Sequence, residues 1–156
     1  MACQKGKEGK RRIVLASGTF DLLHLGHIRY LEEAKKAGGR NVELVVIVAR
    51  DSTVEKRKGF KPVMSENQRR ALVESLKVVD EAVLGYEDFD IGKVIEKIKP
   101  DVIAVGHDQD GVEKTVRGYV RGKRLNIEVV KISKFGEDEL NSSSQIKRKI
   151  VEHFKR

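Results

Sequence analysis

Apolar and polar positions along the chain fall into two alternating periods. Short apolar runs at residues 13–16, 42–49, 82–84, 102–105 and 127–132, each ending in a turn or charged residue, read as buried strands. Between them apolar residues recur at helical spacing. Ile28, Leu31 and Ala34 mark a helix over 27–37, stopped by Gly38-Gly39. Ser65, with Gln68 three residues on, forms a capping box ahead of the stripe Leu72, Val73 and Leu76. Ile91, Val94, Ile95 and Ile98 define a helix over 91–98 that Pro100 ends. Further helices are expected over 112–121 and 142–154, the last apolar along Ile146, Ile150 and Phe154. Residues 50–63 are basic and irregular, with Gly59 and Pro62, and are expected to form a long loop.

Strands alternating with helices over the whole chain imply right-handed crossovers and a parallel sheet between helix layers. The expected fold is therefore single-domain α/β: a doubly wound, five-stranded parallel sheet with helices on both faces, in a Rossmann-like arrangement. Ligands in such sheets bind beyond the carboxyl ends of the strands, where the strand order reverses. Three segments are placed there: 17–27, 50–63 and 106–110.

A chain of 156 residues is about one domain long. Residues 13–156 are assigned to that domain and residues 1–12 to a flexible basic tail. The 39% hydrophobic and 36% charged content excludes a disordered or membrane class, and no apolar run approaches the ~20 residues of a membrane span. The polar N-terminal stretch carries no apolar core of a secretory signal. The single cysteine, Cys3, cannot form an intrachain disulfide, which suits a reducing, cytoplasmic setting. A formal charge of +8 points to anionic partners: nucleotides, phosphate esters or nucleic acid. A non-catalytic nucleic-acid-binding domain is the rival reading. It is weakened because the cations are spread along the chain rather than interleaved with aromatics.

After the first strand comes Gly18-Thr-Phe-Asp-Leu-Leu-His-Leu-Gly-His27, two histidines three apart at the opening of a helix. Gly26 permits close backbone approach, and a helix start offers unpaired N–H groups and a positive dipole end. The imidazoles of His24 and His27 can donate to phosphoryl oxygens and, when protonated, oppose the charge of a departing pyrophosphate. The competing structural reading has His24 packed in the loop and His27 capping the helix. A metal site is weaker still, since four histidines come with no nearby cysteine and no third ligand at suitable spacing.

These residues resemble the HxGH nucleotidyltransferases, in the cytidylyltransferase-like branch that opens with Gly-Thr-Phe-Asp. The likeness runs from Ile13 to about Ile150 and takes in Glu66-Asn-Gln-Arg69, Val79-Asp-Glu-Ala-Val83, Gly106-His-Asp108 and Ser142-Ser-Ser144. It implies a nucleotide site built from Gly18, Thr19, Phe20, His24, Gly26 and His27, with Asp108 at the nucleoside. Ser142 and Ser143 are implied at phosphate oxygens. Catalysis would be direct in-line attack on the α-phosphorus without a covalent intermediate. From the run Lys56-Arg-Lys-Gly-Phe-Lys61 it implies one lysine over the triphosphate, Lys58 by preference. Lys56, Lys61 and Arg69 are further candidate phosphate contacts. A divalent cation, Mg²⁺, is implied as a bridge between triphosphate oxygens, with ligands that the sequence leaves unknown.

Glycerol-3-phosphate cytidylyltransferases carry a tryptophan after the strand-four aspartate and an Arg-Thr-Glu-Gly run before the serines. This chain has Gln109 and Glu137-Asp-Glu-Leu140 there. Val48-Ala-Arg-Asp51, Lys58-Gly-Phe-Lys-Pro62 and Gly106-His-Asp-Gln109 look most like the archaeal FAD synthases, which transfer AMP from ATP to FMN. The resemblance thus implies ATP and FMN as substrates, with CTP and glycerol 3-phosphate as the alternative pair. Phe135 can offer a stacking face to an adenine or isoalloxazine ring. A homodimer paired through residues 77–85 is the further expectation.

Overall fold

Alternation along the first strand sets the two layers of the molecule. In the computed structural model, which describes residues 9–136 and 141–155, strand β1 (Arg12–Gly18) turns Val14 and Ala16 to one face and Leu15 to the other. It is followed by α1 (Leu25–Ala37), β2 (Val42–Val48), α2 (Asp51–Lys58), α3 (Glu66–Glu74) and β3 (Glu81–Leu84). The second half continues with α4 (Ile91–Ile98), β4 (Val102–Val105), α5 (Asp110–Gly122), β5 (Glu128–Lys131) and α6 (Ser143–Phe154).

The sheet is five-stranded and parallel throughout, as the alternating pattern predicts, and its strand order is β3-β2-β1-β4-β5. Leu15 lies between Val45 and Ile103 in register. On one face Leu31 and Ala34 of α1 and Val73 of α3 close over Val14, Ala16, Leu44 and Val46. On the other, Val94 and Ile95 of α4 and Val116 of α5 cover Leu15, Val45 and Ile103. The crossovers leave β1 and β4 in opposite directions, so a crevice opens between their carboxyl ends. Two side chains stitch that crevice from below. Tyr30 Oη donates to Ala104 O at 3.2 Å, and Gln109 Nε2 donates to Ser17 O at 3.2 Å while its Oε1 accepts the Gly106 N–H at 2.8 Å.

Two expectations are corrected. Residues 50–63 are not a continuous loop, because 51–58 form α2, closed by Gly59 in the left-handed region at φ 81°. Its only buried residue is Val54, so no apolar stripe announces it. Its first N–H, on Asp51, is instead taken by Glu66 Oε2 at 2.7 Å, a partner fifteen residues away. The boundary of the tail also shifts: Arg12 belongs to β1 and donates to Gly38 O at 2.9 Å, while residues 1–8 lie outside the described set. Ile150 and Phe154, on the apolar side of α6, are exposed at 47% and 79%, and that helix is tied to the rest of the fold at its first turns through Ser143 and Lys147. Among the described residues no helix is long and apolar enough to cross a membrane.

Candidate active site

The loop from β1 into α1 is bent more tightly than its residue types favour. Phe20 and Leu22 sit in the left-handed region at φ 55° and 49°, a conformation that costs a non-glycine residue about 1–2 kcal/mol. Asp21, 5% exposed between them, holds the bend. Its carboxylate accepts the Val63 and Met64 N–H groups at 2.8 and 3.0 Å and faces Lys147 Nζ at 3.7 Å, while its carbonyl accepts the Ser143 hydroxyl. Phe20 is driven into the core, its ring 5.4 Å from that of His27. A nucleotide beside Phe20 would therefore meet its backbone and not its ring.

His24 caps α1 and His27 is its third residue. The His24 backbone N–H donates to His27 Nδ1 at 3.3 Å, and the two rings stack at 3.7 Å with 25° between their planes. A backbone N–H can only donate, so Nδ1 is the acceptor and the His27 proton resides on Nε2. The two sequence readings of His27 are thus joined: one nitrogen caps the helix and the other is left as a donor. Burial, and then the neighbouring His24, push the His27 pKa down to about 3, against a smaller opposing pull from Asp21. Burial lowers His24 as well. Around pH 7 His27 therefore brings a neutral, oriented donor rather than the positive charge considered from the sequence. His24 Nδ1 is buried and hydrogen-bonds to none of the described residues. Gly26 also has a reason within the protein itself. A Cβ there would stand 2.6 Å from Asn141 O and 2.9 Å from His24 Nδ1, so the protein itself fills the space beside it.

That approach of Asn141 brings a second helix mouth to the first. Ser142 caps α6, its Oγ accepting the Gln145 N–H at 3.2 Å and keeping its own proton to donate. Ser143 has its hydroxyl turned to Asp21 O, so toward an anion it offers its backbone N–H. Two positive dipole ends thereby converge on one opening.

The basic residues divide sharply. Lys58, at the end of α2, has its pKa lowered by partial burial and by Arg57 and Lys147, against the pull of Asp108 and Asp21. It therefore shares a field with the residues around the two helix mouths. Arg57 Nη2 donates to Thr19 Oγ1 at 3.3 Å. Lys56 turns aside to Asp88, at 3.3 Å, and Lys61 is exposed. Arg69, expected as a phosphate contact, is corrected: its side chain is 0% exposed. It donates to Met64 O at 3.0 Å, Thr19 O at 2.6 Å, Ala49 O at 2.9 Å and Asp51 Oδ1 at 2.6 Å, leaving at most one of its five N–H groups. Asp108 is exposed beyond β4, in a turn that Gly106 permits, since a Cβ there would lie 3.2 Å from Asp108 Oδ1. Phe135 is 40% exposed, and residues 137–140, which follow it, lie outside the described set.

Sequence reasoning passed over Asp21, Arg57 and Lys147. Asp21 was quoted within Gly-Thr-Phe-Asp, but its partners come from segments about 40 and 120 residues away, which no local pattern links. Ser143 and Lys147 are four apart on α6 and so share a face, the one available signal for the latter.

Comparison with known proteins identifies the family. The model of the Cytidylyltransferase-like family matches residues 15–149. A FAD synthase of Aciduliprofundum boonei is 48% identical over 139 residues, 89% of this chain and 90% of its own. A FAD synthase of Ferroglobus placidus is 53% identical over 138 residues, 88% and 87% of the two chains. The crystal structure described as a lipopolysaccharide core biosynthesis protein from Thermoplasma volcanium superposes with a TM-score of 0.73 at 45% identity, covering 81% of this chain and all of that one. With its family pattern matched from the first strand to the last helix, the chain belongs to the cytidylyltransferase-like family of nucleotidyltransferases.

Proposed function

We propose that the protein is an FMN adenylyltransferase: it transfers AMP from ATP to FMN, giving FAD and pyrophosphate. The observation that carries the reading is the near-complete match to FAD synthases at about half identity. The paired histidines at a helix mouth give that match a chemistry. An oxygen of the FMN phosphate attacks the α-phosphorus of ATP. The bond from that phosphorus to the bridging oxygen breaks opposite it, and pyrophosphate departs with the electron pair. No group on the protein needs to become covalently attached.

In this reading His27 Nε2–H and His24 donate to the triphosphate oxygens where charge grows, without prior cost of reorienting. The first turns of α1 and α6 supply N–H groups, and Ser142 adds a hydroxyl. Lys58 places its charge on the leaving phosphates, and Asp108 faces the nucleoside. Thr19 lies beside the phosphates with the Gly18 backbone. A divalent cation, when bound, would offset the charge of the triphosphate. Among the described residues no three His, Cys, Asp or Glu side chains are grouped to hold a metal by themselves. Pairing of two copies through 77–85 is supported by the place of β3, which is an edge strand with one side of its backbone unpaired in the sheet.

Pyrophosphate release measured with ATP plus FMN and with CTP plus glycerol 3-phosphate tests the reaction. Turnover is expected with the first pair, and turnover with only the second overturns the assignment.

A further inference from the structure

Beside the phosphate site lies a cavity that the proposed chemistry leaves unused. It opens at the carboxyl ends of β1 to β4, on the face covered by α4 and α5, and encloses about 100 Å³. Its walls are apolar, among them Ile47, Ile91, Ile103 and Val116. Two aromatic side chains from the loop after β3, Tyr86 and Phe89, line it and are 40% and 55% exposed. Gly18 and Arg57 form part of the same wall, and Arg57 reaches from it to the Thr19 hydroxyl.

We propose that this cavity receives the isoalloxazine ring of FMN, with Tyr86 and Phe89 against the ring and Arg57 holding the 5′-phosphate. The proposal rests on the FMN adenylyltransferase reading and adds the site of its acceptor. A flat tricyclic ring needs apolar walls and gains from aromatic contact, and both are present. A polyol phosphate would leave those walls facing water. The phosphate of the acceptor must also be brought to the triphosphate with its charge offset. Adjacent residues on a helix project in different directions, and here Arg57 turns to Thr19 and the cavity while Lys58 lies in the field of Asp21, Asp108 and Lys147. The end of α2 thus supplies one cation to the donor and another to the acceptor. A guanidinium suits the second task because its planar fork matches phosphate oxygens two at a time.

The test combines turnover with flavin-fluorescence titration of the full chain. Wild type is expected to turn over ATP with FMN. In the Tyr86→Ala/Phe89→Ala double variant the FMN Kd and KM are expected to rise at least ten-fold, with the ATP KM within two-fold. Arg57→Gln, an independent and exposed position, is expected to weaken FMN at least five-fold while leaving riboflavin, which lacks the phosphate, within two-fold. FMN affinity unchanged in the double variant overturns the assignment and leaves the reaction standing. A rise in the ATP KM alone also overturns it, by giving the cavity to adenine. If wild type fails to use FMN at all, the reaction itself falls and the acceptor site with it.

Discussion

Arg69 and Lys58 carry the same charge and flank the same segment, yet the fold treats them in opposite ways. Arg69 is sealed beneath the site, where it ties the end of β1, the end of β2, the start of α2 and the approach to α3 into one strut. Around it Asp51 and Glu66 cap each other's helices, with the Asp51 N–H on Glu66 at 2.7 Å and the Glu66 N–H on Asp51 at 3.3 Å. Arg50 closes the set on Glu66 at 2.9 Å. Lys58 stands at the mouth with no such set of acceptors among the described residues, its charge made costlier by partial burial and by Arg57 and Lys147. The strut is satisfied and rigid, and the mouth is left electrostatically unfinished. Proteins keep such unfinished arrangements where a ligand completes them.

Breaking the strut has the largest expected effect. Arg69→Leu leaves Asp51 without its partner and three carbonyls without a donor, a loss of about 3–5 kcal/mol. For a chain of this size that lowers Tm by roughly 10 °C. A Tm within a degree or two of wild type would show that the strut is not structural. At the mouth, His27→Ala removes the oriented Nε2 donor and is expected to lower kcat by about 10²–10³-fold with an unaltered circular dichroism spectrum. Activity close to wild type would remove His27 from the chemistry. Smallest of the three, Lys58→Ala is expected to raise the ATP KM about ten-fold with Tm unchanged, the reverse of Arg69. Because its pKa is lowered, Lys58 loses its charge at a lower pH than an ordinary lysine, so ATP affinity falls early on the alkaline side. Lys58→Arg is expected to move that decline upward, and a limb that stays in place would assign it to another group.

Much of this division was invisible along the chain, for physical reasons. The five strands were legible as short apolar runs, of which β1, β2 and β4 are buried on both faces, and their parallel pairing follows from alternation with helices. The helix α2 was not, since Val54 alone is buried and its start is stabilised by Glu66 across space. His24 and His27 were legible as a pair from spacing, but the neutral state of His27 depends on burial and on the second ring beside it. Arg69 matched a motif and was expected at phosphate. Its four acceptors come from three stretches of chain, so only the folded structure distinguishes a strut from a contact. The aromatic pair Tyr86 and Phe89 carried no period and no motif, and acquires meaning only from the cavity beside it.

A crystal structure with a non-hydrolysable ATP analogue tests the centre of the account most directly. The triphosphate is expected across the first turns of α1 and α6, with His27 Nε2 within hydrogen-bonding distance of a phosphate oxygen and Arg69 untouched. Phosphates bound elsewhere, with His27 Nε2 facing solvent or protein, would contradict it.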